Sequence, residues 1–458
     1  MRYRDSGRSR FGGLFQVCLV TSFWSVLGCT RTVDTLGYND RVDAQAGNSS
    51  GGSTAAGNSN GADAALPRRL RPLTGPSEYP NAFRDVLGKT SDDIDKKINN
   101  VFNTLFHGSS DYAFYFEVGS DESKIVDLYH NSEVRTEGMG YAMIIAVELN
   151  KQYEFDRLWR YAKQNLMVTS GPSRGYFTSR CNLSPDSAQN TRACLDPFGL
   201  QQFAMALVLA HGRWGSDDSD AGSGAINYND DAWMLFDVMR NKEAQNGGVV
   251  DGVTNTFDAN TLLVFDEPNT TCFNFTRPSL EMPAYYVMWA QATGDTFWSN
   301  AADNARGFWK SVANSDNGLM PVRAYFSGRE YDGGNVFSPE GYRTQLNMTL
   351  DKIWTGVDSW DQTEANQLIA FFQHVMDTNS GSYFMSYNLD GTVIDSNNAS
   401  PALISVNGDS ALIASNSNRA AFIKAVWDLS MPTGNARYFD GLMYLLSLLM
   451  LSGEYRVY

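Results

Sequence analysis

The chain has 458 residues, of which 43% are hydrophobic and 13% aromatic, enough for a large core in one to three domains. Its formal net charge of −15 argues against nucleic acid, which needs a basic surface, and against docking on anionic lipid headgroups. An acidic, soluble protein acting on a neutral substrate fits these numbers.

At the N-terminus, Arg2, Arg4, Arg8 and Arg10 precede a mostly apolar stretch, 11–27, that ends in Val26-Leu27-Gly28-Cys29. A charged start, a short apolar middle and small residues before a cut form the secretory pattern. The Leu-Gly-Cys ending also resembles a bacterial lipoprotein signal, which would put a lipid on Cys29. Residues 1–29 are therefore expected to be a signal, the location extracytoplasmic, and any membrane contact confined to that lipid. Residues 30–78 read as a spacer, because the run 44–65 is mostly Gly, Ser, Asn and Ala and cannot bury a core. Order is expected from Tyr79, giving one folded domain over 79–458.

In that domain Ile94, Ile98, Val101, Phe102, Leu105 and Phe106 recur at the spacing of one buried helical face. Similar patterns run through 137–150, 153–167, 198–211, 229–242, 280–292, 297–313, 340–355, 363–376, 402–415, 418–429 and 437–452, about twelve helices in all. Strand-like alternation is local, near 381–393. The apolar run 441–451 is too short to span a bilayer and reads as a core helix. Successive helices with no evident sheet predict an all-α toroid, an inner ring wrapped by an outer ring with a cleft at one end. An α-solenoid is the alternative, although no short repeat supports it.

Beyond the signal, the cysteines are Cys181, Cys194 and Cys272, an odd number that makes no disulfide framework. Cys181 and Cys194 either bridge in an oxidising compartment or are simply buried. With 4 His and no clustered Cys/His spacing, no metal or other cofactor is expected.

The stretch that carries chemistry is Val134-Arg135-Thr136-Glu137-Gly138-Met139-Gly140-Tyr141-Ala142-Met143. It places a carboxylate at the start of an apolar helix, beside two glycines that admit close neighbours. Cleavage of a glycosidic bond needs one carboxylic acid to protonate the leaving oxygen. The helix dipole alone would also favour a carboxylate there.

This stretch resembles the S-E-G-x-x-Y-x-M signature of family-8 glycoside hydrolases, whose Glu is the general acid, with Thr136 replacing the Ser. The resemblance continues in order to the end of the chain. It runs through Glu154-Phe155-Asp156-Arg157-Leu158-Trp159, Phe203-Ala204-Met205-Ala206-Leu207, Arg213-Trp214-Gly215, Pro283-Ala284-Tyr285-Tyr286, Tyr342-Arg343-Thr344 and Arg437-Tyr438-Phe439-Asp440-Gly441. Within the family it is most similar to the branch of reducing-end xylose-releasing oligoxylanases and xylanases. It implies an (α/α)6 barrel, an inverting mechanism, and a xylan or xylo-oligosaccharide substrate ahead of β-glucan or chitosan. A monomer is expected.

An inverting pair also needs a base to activate water. The family's base is an Asp three residues before an Arg. Here Ser338-Pro339-Glu340-Gly341-Tyr342-Arg343 puts Glu340 at that place, one methylene longer. Two further departures follow. Pro197-Phe198-Gly199 carries Phe198 where the family has an Asp, with Asp196 two residues away. Arg277-Pro278-Ser279-Leu280 replaces Asp-Pro-Ser-Tyr.

Three readings follow. Hydrolysis survives on Glu137 and Glu340 with support from Asp196 or Glu281; or the cleft only binds sugar; or Arg277 admits an anionic sugar. The first is preferred. Arg343, Tyr285, Tyr438, Asp440 and Arg277 are the expected substrate contacts, with Trp289 a further stacking face unless it is core and Arg437–Asp440 an ion pair in the alternative. In the folded chain Glu340 should face Glu137 with about 6.5–9.5 Å between carboxyls.

Overall fold

The structure, a computed structural model, describes residues 68–129, 132–181, 194–216, 225–270 and 274–458. The expected signal, Cys29, Cys272 and most of the spacer lie outside the described residues, as does the side chain of Cys181 and with it any pairing to Cys194.

Order starts earlier than Tyr79. Leu70 is buried, its N–H donates to Asn229 Oδ1 at 2.8 Å, and Arg71 N–H donates to the Ala292 carbonyl at 2.8 Å. The spacer boundary therefore falls short of 78. Averaged composition hid Leu70 and Leu73, which give the segment 68–78 something to bury against the core.

Among the described residues thirteen α-helices follow. They are α1 (Ala82–Asp85), α2 (Ser91–His107), α3 (Thr136–Glu148), α4 (Gln152–Asn165), α5 (Pro197–Trp214), α6 (Tyr228–Asn246), α7 (Pro283–Thr293), α8 (Thr296–Val312), α9 (Pro339–Thr355), α10 (Trp360–Thr378), α11 (Pro401–Ile413), α12 (Arg419–Asp428) and α13 (Arg437–Ser452). Apart from the single-turn α1, these are the helices the periodicity predicts.

The helices alternate in character. In α2 the buried set is one stripe, Ile94, Ile98, Val101, Phe102, Leu105 and Phe106, and α4, α8, α10 and α12 likewise bury one face. By contrast α3, α5, α11 and α13 are buried nearly all round, as a helix surrounded by other helices must be. The even-numbered helices form the outer layer. Helix α3 packs on α5, α5 on α7, α7 on α9, α9 on α11, α11 on α13, and α13 back on α3, which closes the inner ring. A solenoid has free ends, so this closure excludes it. The fold is an (α/α)6 barrel.

Loop lengths set where the cleft opens. Short turns at 149–151, 294–295, 356–359 and 414–418 lead from inner to outer helices, whereas the long segments 166–196, 247–282, 313–338 and 379–400 lead back inward. Antiparallel hairpins then place the N-termini of all inner helices, and the long segments, at one end. Proline opens α5, α7, α9 and α11, where its fixed φ suits the first helical position and its missing N–H costs nothing.

These long segments, together with 108–135 between α2 and α3, also hold strands that the sequence reading missed, except for the hairpin at 381–393. A four-stranded sheet orders β1 (Tyr115–Val118), β2 (Glu122–Asp127), β3 (Glu133–Arg135) and β4 (Arg180–Cys181). A pair joins β5 (Phe275–Thr276) to β6 (Ala324–Tyr325), and a third sheet orders β7 (Val336–Phe337), β8 (Phe384–Asn388) and β9 (Val393–Asn398). Strands of two to six residues are too short to show a period.

No helix among the described residues is long and apolar enough to cross a membrane. The interior nonetheless contains carboxyls. Burial pushes Glu281, Asp361, Glu364 and Asp409 each up to about 8. In the unfolded chain such groups ionise near 4, so between about 4 and 8 the unfolded state releases protons that the folded state retains. Stability is then fullest below that window and falls as pH rises through it. Calorimetric melting is expected to give a higher Tm at pH 5 than at pH 8; a flat or opposite trend would show that these carboxyls are ionised in the folded protein.

Candidate active site

Strand β3 runs directly into α3, so Thr136 and Glu137 start a helix whose origin is fixed by the sheet. Every residue of α3 is buried except Glu137. The inner helix therefore opens to its surroundings only at this carboxyl, whose side chain keeps 18% of its exposure. Two glycines permit the packing around it. A Cβ on Gly138 would lie 2.4 Å from the Tyr438 hydroxyl, and one on Gly199 would lie 2.8 Å from the Thr136 carbonyl carbon.

Glu340 opens α9 as Glu137 opens α3 and keeps 14% of its side-chain exposure. Arg343, one turn further along α9, joins the two. Its Nη1 lies 3.2 Å from Glu137 Oε2 and its Nη2 lies 2.9 Å from Glu340 Oε1. The guanidinium is buried, with the rings of Phe198 and Phe439 centred 4.7 and 5.7 Å from it. Phe198, standing where a carboxylate was expected, thus forms one wall for this arginine.

Glu340 has a second partner. Arg277 Nη1 donates to its Oε2 at 3.1 Å, and Arg277 Nε lies 2.7 Å from Asp266 Oδ1. Arg323 Nε lies 3.6 Å from the same Asp266 oxygen. Asp196 is brought close as well. It caps α5 by accepting from Phe198 N–H at 2.9 Å, and its other oxygen accepts the Thr136 hydroxyl.

These partners drive the two glutamates apart. Burial raises Glu137, Arg343 opposes the rise, and the negative charges of Glu340 and Asp196 add to it. Burial would raise Glu340 too, but Arg343 and Arg277 outweigh it and hold the carboxyl at about 2. One group is shifted towards keeping its proton and the other is ionised. Environments that push two carboxyls apart assign an acid and a base.

Several expected contacts lie elsewhere. Tyr285 is core: its hydroxyl donates to Gln202 Oε1 at 2.9 Å and sits 2.9 Å from the Tyr455 hydroxyl. Trp289 is buried in an aromatic cluster with Phe236 and Trp298. Glu281 is fully buried under the Val264 N–H and the Thr276 hydroxyl and cannot reach a substrate. Asp440 accepts from Ala402 N–H at 3.2 Å, at the start of α11, and burial pushes it up to about 6. Arg437 does not pair with it but donates to the carbonyls of Ala113, Gly434 and Ser110. Tyr438 is buried, so it offers no stacking face, but its hydroxyl lies against Gly138 beside the acid. Helical spacing cannot distinguish a cleft aromatic from a core one, and the core won at Tyr285 and Trp289.

Asp266, Arg323 and Tyr141 were missed. Tyr141 stands in the quoted motif, its ring edge-on to Phe198 at 5.3 Å. Asp266 and Arg323 sit on irregular segments with no spacing to mark them.

A family model described as glycosyl hydrolases family 8 matches residues 117–452. The reducing end xylose-releasing exo-oligoxylanase of Halalkalibacterium halodurans is 31% identical over 389 residues, covering 83% of this chain and 95% of that protein. The reducing-end xylose-releasing exo-oligoxylanase Rex8A of Paenibacillus barcinonensis is 30% identical, over 83% and 97% respectively. The solved structure of Rex8A complexed with xylose superposes with a TM-score of 0.74 at 29% identity, over 83% of this chain and 98% of that one.

Proposed function

This chain belongs to family 8 of the glycosyl hydrolases and is a glycoside hydrolase, and we propose that it cleaves the β-1,4 bonds of xylo-oligosaccharides with inversion, Glu137 acting as general acid and Glu340 as general base. The observation that carries this reading is the pair itself. Two partly exposed carboxyls at one end of the barrel share one guanidinium and are shifted in opposite directions. Both carboxyls meet the same guanidinium, Glu137 Oε2 at 3.2 Å from Nη1 and Glu340 Oε1 at 2.9 Å from Nη2, so Arg343 holds the pair together.

In the reaction a water oxygen bonds to the anomeric carbon from the face opposite the leaving group. Its proton passes to Glu340 as the glycosidic C–O bond breaks. The departing oxygen keeps the bond's electron pair and takes the proton of Glu137. Glu340 can accept although both oxygens are engaged, since an ionised carboxylate has about four lone-pair sites and the arginines fill two. The xylose-based substrate is carried over from the names of the two exo-oligoxylanases. Arg343 bears on both carboxyls, and its burial between two phenylalanines keeps water from weakening that effect.

The reading is tested by incubating the protein with xylotriose and xylotetraose, in parallel with their reduced alditols, and following products by proton NMR. The expected result is release of xylose from the unreduced oligomers, with the new reducing end appearing first as the α-anomer. An initial β-anomer would contradict inversion. Binding by calorimetry without any turnover would leave a sugar-binding protein on a hydrolase fold.

A further inference from the structure

We propose that Arg277, braced by Asp266, is a positioning residue that fixes the carboxylate plane of Glu340 and is not a contact for the sugar. This rests on Glu340 being the base.

The sequence alone suggests the opposite, because a free arginine in a sugar cleft suits an anionic sugar. The fold removes that freedom. Arg277 directly follows β5 and precedes the 3-10 turn Pro278–Leu280. That turn is pinned from two sides. Trp309 Nε1 of α8 donates to the Pro278 carbonyl at 2.9 Å, and Asn347 Nδ2 of α9 donates to the Ser279 carbonyl at 3.0 Å. The side chain therefore starts from a backbone locked to the helix that carries Glu340.

Across the β5–β6 pair, Thr276 faces Ala324, which brings Arg277 and Arg323 to neighbouring strand ends. Two guanidinia so placed repel each other. Asp266 lies between them, its Oδ1 2.7 Å from one Nε and 3.6 Å from the other. With its Nε held there, Arg277 directs Nη1 at Glu340 Oε2, while Arg343 meets Oε1. Each oxygen of the base thus has its own guanidinium.

The longer arm explains why two are needed. Glutamate has one more rotatable bond than aspartate, and its terminal torsion is broad. A single arginine on one oxygen leaves the carboxylate free to turn about that contact. A second on the other oxygen fixes the plane, and so fixes where the remaining lone pairs meet water. In the structure the glutamate at the base position and Arg277 touch, Nη1 to Oε2 at 3.1 Å.

The charged groups acting on Glu340 are Arg343 on its own helix, Glu137 from α3, Arg277 after β5 and Arg323 before β6, while Asp196 at the start of α5 acts on Glu137 and Arg277, and Asp266 on Arg277 and Arg323. Removing Arg277 takes away one of the two direct cations of Glu340.

Steady-state kinetics on neutral xylotriose across pH, for the wild type and for Arg277→Met, Arg277→Lys and Asp266→Asn, test the proposal. Arg277→Met is expected to lower kcat by about 10²-fold, with KM within about twofold and the acid limb of kcat/KM moved to higher pH. Arg277→Lys should restore the limb but only part of kcat, because ammonium supplies the charge without the fork. Asp266→Asn should fall between. An unchanged kcat and acid limb in Arg277→Met, or a loss confined to KM that is larger on glucuronic-acid-substituted oligomers, would overturn the positioning role and make Arg277 a substrate contact. A wild type that binds xylotriose without cleaving it overturns the base assignment instead, a different result from an active wild type indifferent to Arg277.

Discussion

Replacing Glu137 by Gln is expected to lower kcat on xylo-oligosaccharides by about 10²–10⁴-fold, with substrate affinity held within a few fold. The amide keeps the shape of the acid but has no proton to give the leaving oxygen. Its effect should be largest on substrates with a poor leaving group, such as a sugar hydroxyl, and smaller on aryl xylosides, whose phenolate leaves without help. The basic limb of the wild-type profile should disappear. Activity is lost there as pH rises through the raised pKa of Glu137, and the variant has nothing left to titrate. Thermal stability should not fall. Glu137 is only partly exposed and faces the negative charges of Glu340 and Asp196, so its removal relieves repulsion while Arg343 keeps Glu340. Stopped assays with xylotriose and an aryl xyloside, with melting curves, check all three. An aryl substrate slowed as much as the natural one would mean that Glu137 does not protonate the leaving group.

The sequence exposed the architecture more fully than the site, for a physical reason. A helical layer repeats its burial every three or four residues, so twelve helices and their order could be read from period alone. The mostly buried α13 and the single-faced α2 differ enough to suggest two rings. Closure of the ring is a long-range property that no window contains; the succession of helices left an α-solenoid open beside the toroid, and the contact between α13 and α3 decides for closure. Within the site, Glu137, Glu340 and Arg343 were legible through the motifs that resemble the family, since a carboxylate in a first helical turn is by itself explained by the helix dipole. Asp266 and Arg323 were not, because irregular segments carry no period, and what gives these residues a role is the pairing of β5 with β6. The misplaced aromatics fail for the converse reason. Tyr285 and Trp289 lie on an inner helix, where every face is buried and position in the pattern says nothing about exposure.

Arg277 shows the same limit in charge. As a letter it is a free cation. In the fold it is one member of an alternating set, Arg323, Asp266, Arg277, Glu340, Arg343 and Glu137, in which each group meets one of opposite sign. The set couples the base to a loop and a strand end, and the acid to the base through a single guanidinium. Removing any middle member leaves a neighbour with uncompensated charge in a place largely shielded from water, which is costly.

The base position then offers the second large effect. Glu340→Gln is expected to lower kcat by about 10²–10⁴-fold and to abolish the acid limb of the profile, leaving the basic limb in place. That is the mirror image of Glu137→Gln. The wild-type acid limb should lie unusually low, because Glu340 is held at about 2 and activity is lost only as pH falls through that value. Such a weak base is a poor proton acceptor at equilibrium, so its contribution lies more in orienting water and stabilising the positive charge that develops on the sugar. Glu340→Asp separates these contributions. It restores the residue type of the family pattern, and by chemistry alone should be harmless. Here both arginines meet the carboxylate at the end of the longer arm, at 3.1 and 2.9 Å, and a shorter arm withdraws from them. The aspartate is therefore expected to be slower than wild type by at least about tenfold, since a displacement near 1 Å costs up to about 10²-fold, with its acid limb shifted upward. A fully active Glu340→Asp would show that the site tolerates either arm and that the arginines do not set the position of the base. A variant slow in kcat, unaltered in KM and shifted in its acid limb would locate the chemistry of this barrel in the spacing between one carboxylate and two guanidinia.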